Sequence, residues 1–223
     1  MRDLTLIIPA KNEKLSLPHV LDEIKDLNCK KIIILEKKDN ETINSIKRFN
    51  YKIIKQKKSG YGSAIIEGIN NVKTKYLCIF NADGSFDPKD IKKMLKNINK
   101  GSNFVFASRY ISGAGSDDDT FITFLGNKIF TYIGKIFFNI NITDILYTYI
   151  MGRTDKFIKL NLKSKDFRLC IEIPFKISKN HYNFTSIPSF ERRRIAGKKN
   201  VREFIDGFLI LYSIFKFYIK NDN

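Results

Sequence analysis

The chain has 223 residues, 43% of them hydrophobic, enough for one well-filled α/β core with room for a C-terminal extension. Cys29, Cys78 and Cys170 are odd in number and far apart, which argues against a disulfide framework or a zinc site and suits a reducing cytoplasm. The formal charge of +17 points to phosphate-bearing partners, although Lys, Asn and Ile are all abundant and codon bias accounts for part of the Lys excess; with no single-strand or recognition-helix motif, nucleic acid is not an expected partner.

The apolar run that opens the chain, Leu4 to Ile8, is too short for a signal-peptide core and has the length of a buried strand. An amphipathic helix is expected over Leu15 to Leu27, a strand over Lys31 to Leu35, a helix near Glu41 to Phe49 and a strand over Tyr51 to Lys55. A helix from Ser63 to Asn71, a strand from Tyr76 to Phe80, a helix after Pro88 and a strand from Phe104 to Ser108 complete the first half. Near-continuous apolar strands alternating with helices imply a parallel sheet covered on both faces. Ligands of such sheets sit beyond the carboxyl ends of the strands, so the loops Pro9 to Glu13, Glu36 to Asp39, Gln56 to Gly62 and Asn81 to Ser85 are expected to converge. The second half is less regular. It contains a long Phe- and Ile-rich helix (Thr120 to Phe138), a short strand near Ile145 to Met151, a helix around Leu169 to Ser178, a strand near Phe184 to Ile187 and a final helix from Val201.

Six short motifs occur in order: IPAKNE from Ile8, GYGSAIIEGI from Gly60, NADGSFDP from Asn81, SRY from Ser108, ITDILYTY from Ile142 and FERRRIAGKKN from Phe190. Each is weak alone. Together they resemble the family-two glycosyltransferases of GT-A fold, most closely the bacterial and archaeal relatives of dolichyl-phosphate mannosyl- and glucosyltransferases, over Leu4 to about Ile214. The resemblance implies an α/β, Rossmann-like, mostly parallel sheet flanked by helices, with a transferase domain over 1–200 and a C-terminal amphipathic helix over 201–223.

It also implies roles for particular residues. Pro9, Lys11 and Glu13 stand where the family flanks the nucleotide base, and Lys11 replaces a frequent aromatic. After the second strand the family carries paired acids followed by Gly-Ser; here Glu36 keeps one acid, Lys37 replaces the other, and the Gly-Ser is missing. Gly60 and Gly62 fall in the loop that closes the donor pocket, where a glycine pair at a helix start admits close approach of a ligand. Asn81-Ala82-Asp83 occupies the family's metal-binding Asp-x-Asp position, so Asp83 is expected to hold Mg2+ or Mn2+ with help from Asn81 and Ser85 and from the donor diphosphate. Read without the family, Asp83-Gly84 is a turn and Asp87 caps the helix that Pro88 begins. Arg109 and Arg194 are the expected phosphate-holding groups, with Lys198, Lys199 and Asn200 completing a flap; Lys199 replaces a common Ser.

A nucleotide-diphosphate sugar is thus the expected donor, and polyprenyl phosphate the first acceptor, whose phosphate attacks with inversion and needs no protein base. A saccharide hydroxyl would need a base, with Asp144 the first candidate. A sugar-nucleotide-binding protein of little activity is the third reading, suggested by Asn81 and Lys37. Asp117 to Asp119 form a second acidic cluster, more often a helix-capping run than catalytic groups. Neither the helix from Thr120 nor the apolar run Gly207 to Ile219 reaches the roughly 20 residues that cross a bilayer. Both suit an interfacial position beside Lys, hence peripheral contact at the cytoplasmic membrane face, or else a core or dimer surface.

Overall fold

The computed structural model describes residues 1–197 and the helix 203–219. Its elements are β1 (Leu4–Ala10), α1 (Leu17–Ile24), β2 (Lys30–Leu35), α2 (Asn40–Ser45), β3 (Lys52–Lys55), α3 (Tyr61–Asn70), β4 (Tyr76–Ile79), α4 (Lys89–Asn99) and β5 (Phe104–Ser108). There follow β6 (Gly115–Ser116), α5 (Phe121–Phe138), β7 (Ile150–Arg153), α6 (Thr154–Lys159), α7 (Leu169–Lys179), β8 (Phe184–Pro188), β9 (Phe190–Glu191) and α8 (Glu203–Ile219). Seven strands form one sheet in the order β3-β2-β1-β4-β7-β5-β8, and β6 pairs with β9 in a small second sheet.

The period-two alternation of strand side chains divides the core. Leu4, Leu6 and Ile8 of β1 face α1 and α4 together with Ile33, Cys78 and Val105. Ile7 points the other way, with Ile32, Ile34, Leu77 and Ile79, toward α3 and α7. A strand apolar on both faces cannot tolerate solvent on either, which is why β1 and β4 sit centrally in a sheet with helices on both sides.

Most expected elements are present, with three differences. The strand anticipated near Ile145 to Met151 begins only at Ile150 and runs antiparallel between β4 and β5, closing a sheet whose remaining pairs are parallel. The first two helices are shorter than their apolar period suggests. Lys25 lies just beyond α1, with its N–H bonded to the Asp22 carbonyl at 3.5 Å, and α2 ends at Ser45. The acidic run before α5 does not cap it: Thr120 does, accepting from the Thr123 N–H while the Thr123 hydroxyl receives the Thr120 N–H. Asp118 and Asp119 turn instead into a cavity.

Candidate active site

That cavity, about 510 Å³, opens at the carboxyl edge of the sheet and is lined by the ends of the four loops expected to meet there. From the β1 end come Pro9, Lys11 and Glu13, and from the β2 end Glu36, which pairs with Lys11 at 3.1 Å. The cation at position 11 thus neutralises the one acid retained after β2; Lys37 is exposed. Gln56 fixes the third loop, donating from Nε2 to the Lys58 and Gly60 carbonyls, each at 2.9 Å.

The two glycines of that loop serve the chain itself. Gly60 has φ +113°, and a Cβ there would lie 2.2 Å from the Lys165 carbonyl oxygen; a Cβ on Gly62 would lie 2.2 Å from that of Ser164. The segment 163–166 packs onto the start of α3, anchored by the Ser63 N–H donating to the Lys165 carbonyl at 3.0 Å and by Glu172 accepting from the Lys163 and Ser164 N–H groups. Gly60 lines the cavity, whereas Gly62 is buried and does not line it. Gly62→Ala is expected to cost about 2–3 kcal/mol, read as a lower denaturation midpoint, because the atoms it meets are backbone and cannot swing aside.

Asn81, Ala82 and Asp83 follow β4 directly into the cavity wall. Asp83 Oδ1 accepts the Ser85 N–H at 2.9 Å, and Gly84 takes φ +86° to make the turn. Ser85 itself is buried and does not line the cavity, and its hydroxyl lies 3.5 Å from Asn81 Nδ2. It therefore supports the acidic loop from behind, one layer back from the place expected of a metal ligand. The segment after β9 is bound across this loop: the Arg192 N–H donates to the Ser85 carbonyl at 2.9 Å and the Ile195 N–H to the Asp83 carbonyl at 2.8 Å. This binding delivers Arg194, whose Nη1 is 3.8 Å from Asp83 Oδ2 and whose Nη2 donates to Asp118 Oδ2 at 3.0 Å. Burial opposes the charge on Arg194, but Asp118, Asp83 and Glu13 outweigh it and raise its pKa. Burial pushes the Glu13 carboxyl up, Asp83 adds to the rise, and the bond from Ser16 opposes it. Lys199, with Lys198 and Asn200, lies outside the described residues.

Behind Arg194 is a second charged cluster. Arg109 is buried and donates from Nε to Asp144 Oδ2 at 2.7 Å and from Nη2 to Oδ1 at 3.0 Å. Its Nη1 donates to Glu191 at 3.1 Å and stands 3.5 Å from Asp119. Burial disfavours the Arg109 charge, yet Asp144 and Glu191 together raise its pKa well above the ordinary value. Arg109 reaches the cavity wall, but its guanidinium is already shared among carboxylates, and Asp144 is fully enclosed and does not line the cavity. Neither residue is presented as the sequence led us to expect, as phosphate clamp and candidate base.

Sequence reasoning missed Glu191 and took Asp118 chiefly for part of a capping run; both are in the wall. Glu191 accepts from Arg109 and from the Ser116 hydroxyl at 2.6 Å, and burial raises its pKa despite the nearby guanidinium. The order of acids and arginines in the motifs contains no sign that β6 and β9 would pair and bring these groups together. Acidic side chains outnumber basic ones in this wall, although the chain as a whole is strongly basic.

A doubly covered, mostly parallel sheet with an acidic cavity at its carboxyl edge and an arginine strapped over the loop after β4 is the GT-A architecture. The fold superposes on glucosyl-3-phosphoglycerate synthase from Mycobacterium tuberculosis solved with uridine diphosphate, with a TM-score of 0.74, 10% identity and coverage of 97% of this chain and 80% of that one. Mannosyl-3-phosphoglycerate synthase from Rubrobacter xylanophilus gives a TM-score of 0.69 at 13% identity, covering 98% and 73%. The chain belongs to glycosyl transferase family 2, whose model matches residues 5–160. Among its relatives, a glycosyltransferase of Mycobacterium tuberculosis without an assigned substrate is 28% identical over 106 residues; the match spans 48% of each protein, so the chain covers about half the length of that relative. Polyprenol monophosphomannose synthase of Mycolicibacterium smegmatis is 22% identical, covering 89% of this chain and 82% of that protein. Glycosyltransferase AglJ of Haloferax volcanii is 20% identical, covering 95% and 70%.

Proposed function

We infer that the chain transfers a sugar, with inversion, from a nucleotide-diphosphate sugar to a polyprenyl phosphate. The observation that carries this reading is the Asp83–Arg194 pair at the mouth of β4, a carboxylate and a guanidinium facing one cavity where a diphosphate requires opposite charge. The residues suit a divalent cation bound together with the donor. Asp83 Oδ2 is 3.8 Å from Arg194, beyond hydrogen-bond length, so it keeps a lone pair for a ligand. Among the described residues no group of three His, Cys, Asp or Glu is arranged to hold a metal, so Asp83, with the Asn81 amide beside it, would need diphosphate oxygens to complete the shell. When bound, Mg2+ or Mn2+ would place positive charge beside the leaving diphosphate, where negative charge accumulates.

In the transfer, an oxygen of the acceptor phosphate forms a bond to the anomeric carbon as the bond from that carbon to the donor's β-phosphate oxygen breaks. The electron pair of the broken bond leaves on the nucleoside diphosphate. Arg194, released from Asp118, is placed to hold that diphosphate, and Lys11, Glu36 and Gln56 flank the nucleoside end. An acceptor already ionised needs no base, which agrees with Asp144 being consumed by Arg109. The name of the mycobacterial polyprenol monophosphomannose synthase supports the same acceptor class.

The test is a thermal-shift screen of nucleoside diphosphates with and without manganese, followed by transfer from the matching labelled sugar nucleotide to a short polyprenyl phosphate. A rise in midpoint for one base that grows with manganese, and turnover abolished by chelator, are expected. Binding without turnover across a donor and acceptor panel would defeat the reading.

A further inference from the structure

We propose that the outer faces of α5 and α8 dock the protein on an anionic lipid surface. Phe121, Leu125, Ile129, Tyr132 and Ile136 follow one another at helical spacing along α5, and the structure leaves them facing solvent, Phe121 79% and Tyr132 66% exposed. On α8, Phe208, Tyr212, Phe215 and Ile219 repeat the pattern, with Phe208 73% exposed. Helices that served only the core would turn such residues inward. Here the inward faces are already filled by others: Phe138 of α5 and Ile210 and Ile214 of α8 are buried. An apolar stripe of this extent on a soluble face needs a partner.

The charge beside the stripes selects that partner. Residues 121–138 of α5 include Lys128 and Lys135 and no acid; in α8 the acids Glu203 and Asp206 precede the apolar run, and residues 207–219 carry Lys216 as their one charge. Lys128 Nζ lies 4.9 Å from the Tyr110 ring centre and 5.7 Å from that of Phe124, and Lys216 Nζ lies 6.0 Å from that of Tyr212. Ammonium groups against aromatic rings at the edge of an apolar face match the headgroup boundary of an anionic bilayer, where rings enter and cations meet phosphates. A second copy of a chain carrying +17 would have to bring like charges together. Among the described residues no helix is long and apolar enough to cross a membrane, so the geometry is that of a helix pair lying on the surface.

The same two helices wall the candidate active site. Thr123 and Asn127 of α5 and Ile210 of α8 line the cavity from faces other than those exposed, while the helices hold each other through Phe137 against Phe215 and Tyr218, each with ring centres 5.0 Å apart. A surface bound to this pair therefore adjoins the cavity, and it would present a lipid-borne acceptor there. This last step rests on the function proposed above; the docking itself does not.

The experiment is co-sedimentation of the full chain with vesicles that contain no polyprenyl phosphate, either phosphatidylcholine alone or an equal mixture with phosphatidylglycerol. Binding to the mixed vesicles at low salt, weakened by salt and by omission of phosphatidylglycerol, is expected. Ile129→Glu combined with Tyr212→Glu should lower that affinity about tenfold or more, and Lys128→Ala combined with Lys216→Ala should reduce mainly the preference for anionic lipid. Both variants should keep turnover on a short, water-soluble polyprenyl phosphate, so loss of docking and failure of the transferase reading give different results. No binding to mixed vesicles, undiminished binding of the glutamate variant, or a stable dimer that this variant dissolves would overturn the proposal.

Discussion

Asp83→Ala is expected to lower kcat/KM for sugar transfer by about three orders of magnitude, some 4 kcal/mol of transition-state stabilisation. The carboxylate is the one charged protein group at the end of β4 with an oxygen left for a donor-bound cation, since Oδ1 is taken by the Ser85 N–H. It also balances Arg194 across 3.8 Å. Removing it should therefore damage cation binding more than folding. The one hydrogen bond lost is that from the Ser85 N–H, about 1 kcal/mol, or roughly 2–4 °C in midpoint for a chain of this size, and Arg194 keeps Asp118 as its ionic partner. Asn81→Asp should act in the opposite sense and tighten manganese binding in the presence of nucleoside diphosphate, because a second carboxylate then faces the same ion. Steady-state kinetics with a manganese titration separates these outcomes. Turnover that survives Asp83→Ala would place the donor phosphates somewhere other than this loop.

Much of this site was legible because the relevant information is local. Runs such as TLII in β1 and YLCI in β4 can only be buried strands, and in a doubly covered sheet the loops after them must share one edge, so Pro9, Glu36, Gly60 and Asp83 could be brought together before any coordinates. What escaped depends on contacts between distant segments. Glu191 gains its place through the pairing of β6 with β9, two residues each, far too short to leave a periodic signal. The positions of Gly60 and Gly62 were foreseen, but their reason was not, since the loop that presses on them lies a hundred residues later. Asp118 and Asp119 resembled a capping run because a helix follows, whereas Thr120 and Thr123 had already satisfied the cap. Arg109 was recognised as important from its motif, but whether an arginine binds a ligand or a buried carboxylate is decided by which acids the fold encloses with it.

That distinction gives the second large effect. Asp144→Ala should destabilise the fold by about 3–5 kcal/mol, because it leaves a buried guanidinium without its two-pronged partner. Glu191 at 3.1 Å and Asp119 at 3.5 Å still face Arg109, which favours the lower end of that range and a fall in midpoint of roughly 6–12 °C. Asp144→Asn keeps the shape and loses the charge, so it should cost less. Replacing the pair together, Arg109→Met with Asp144→Leu, should cost less than the sum of Arg109→Met and Asp144→Leu made singly, although Glu191 and Asp119 then lose their cation; the excess over additivity in this double-mutant cycle measures the pair. Thermal denaturation of the unaltered protein, the two single variants and the double variant checks this directly. Kinetics on Asp144→Asn decides the acceptor chemistry. If Asp144 were the base for a hydroxyl acceptor, Asp144→Asn would abolish kcat, a loss far larger than the modest fall in midpoint from the weakened Arg109 pair accounts for. If it serves to hold Arg109, stability and activity should fall together and modestly in Asp144→Asn, and the fully enclosed position of Asp144, away from the cavity, argues for this second pattern.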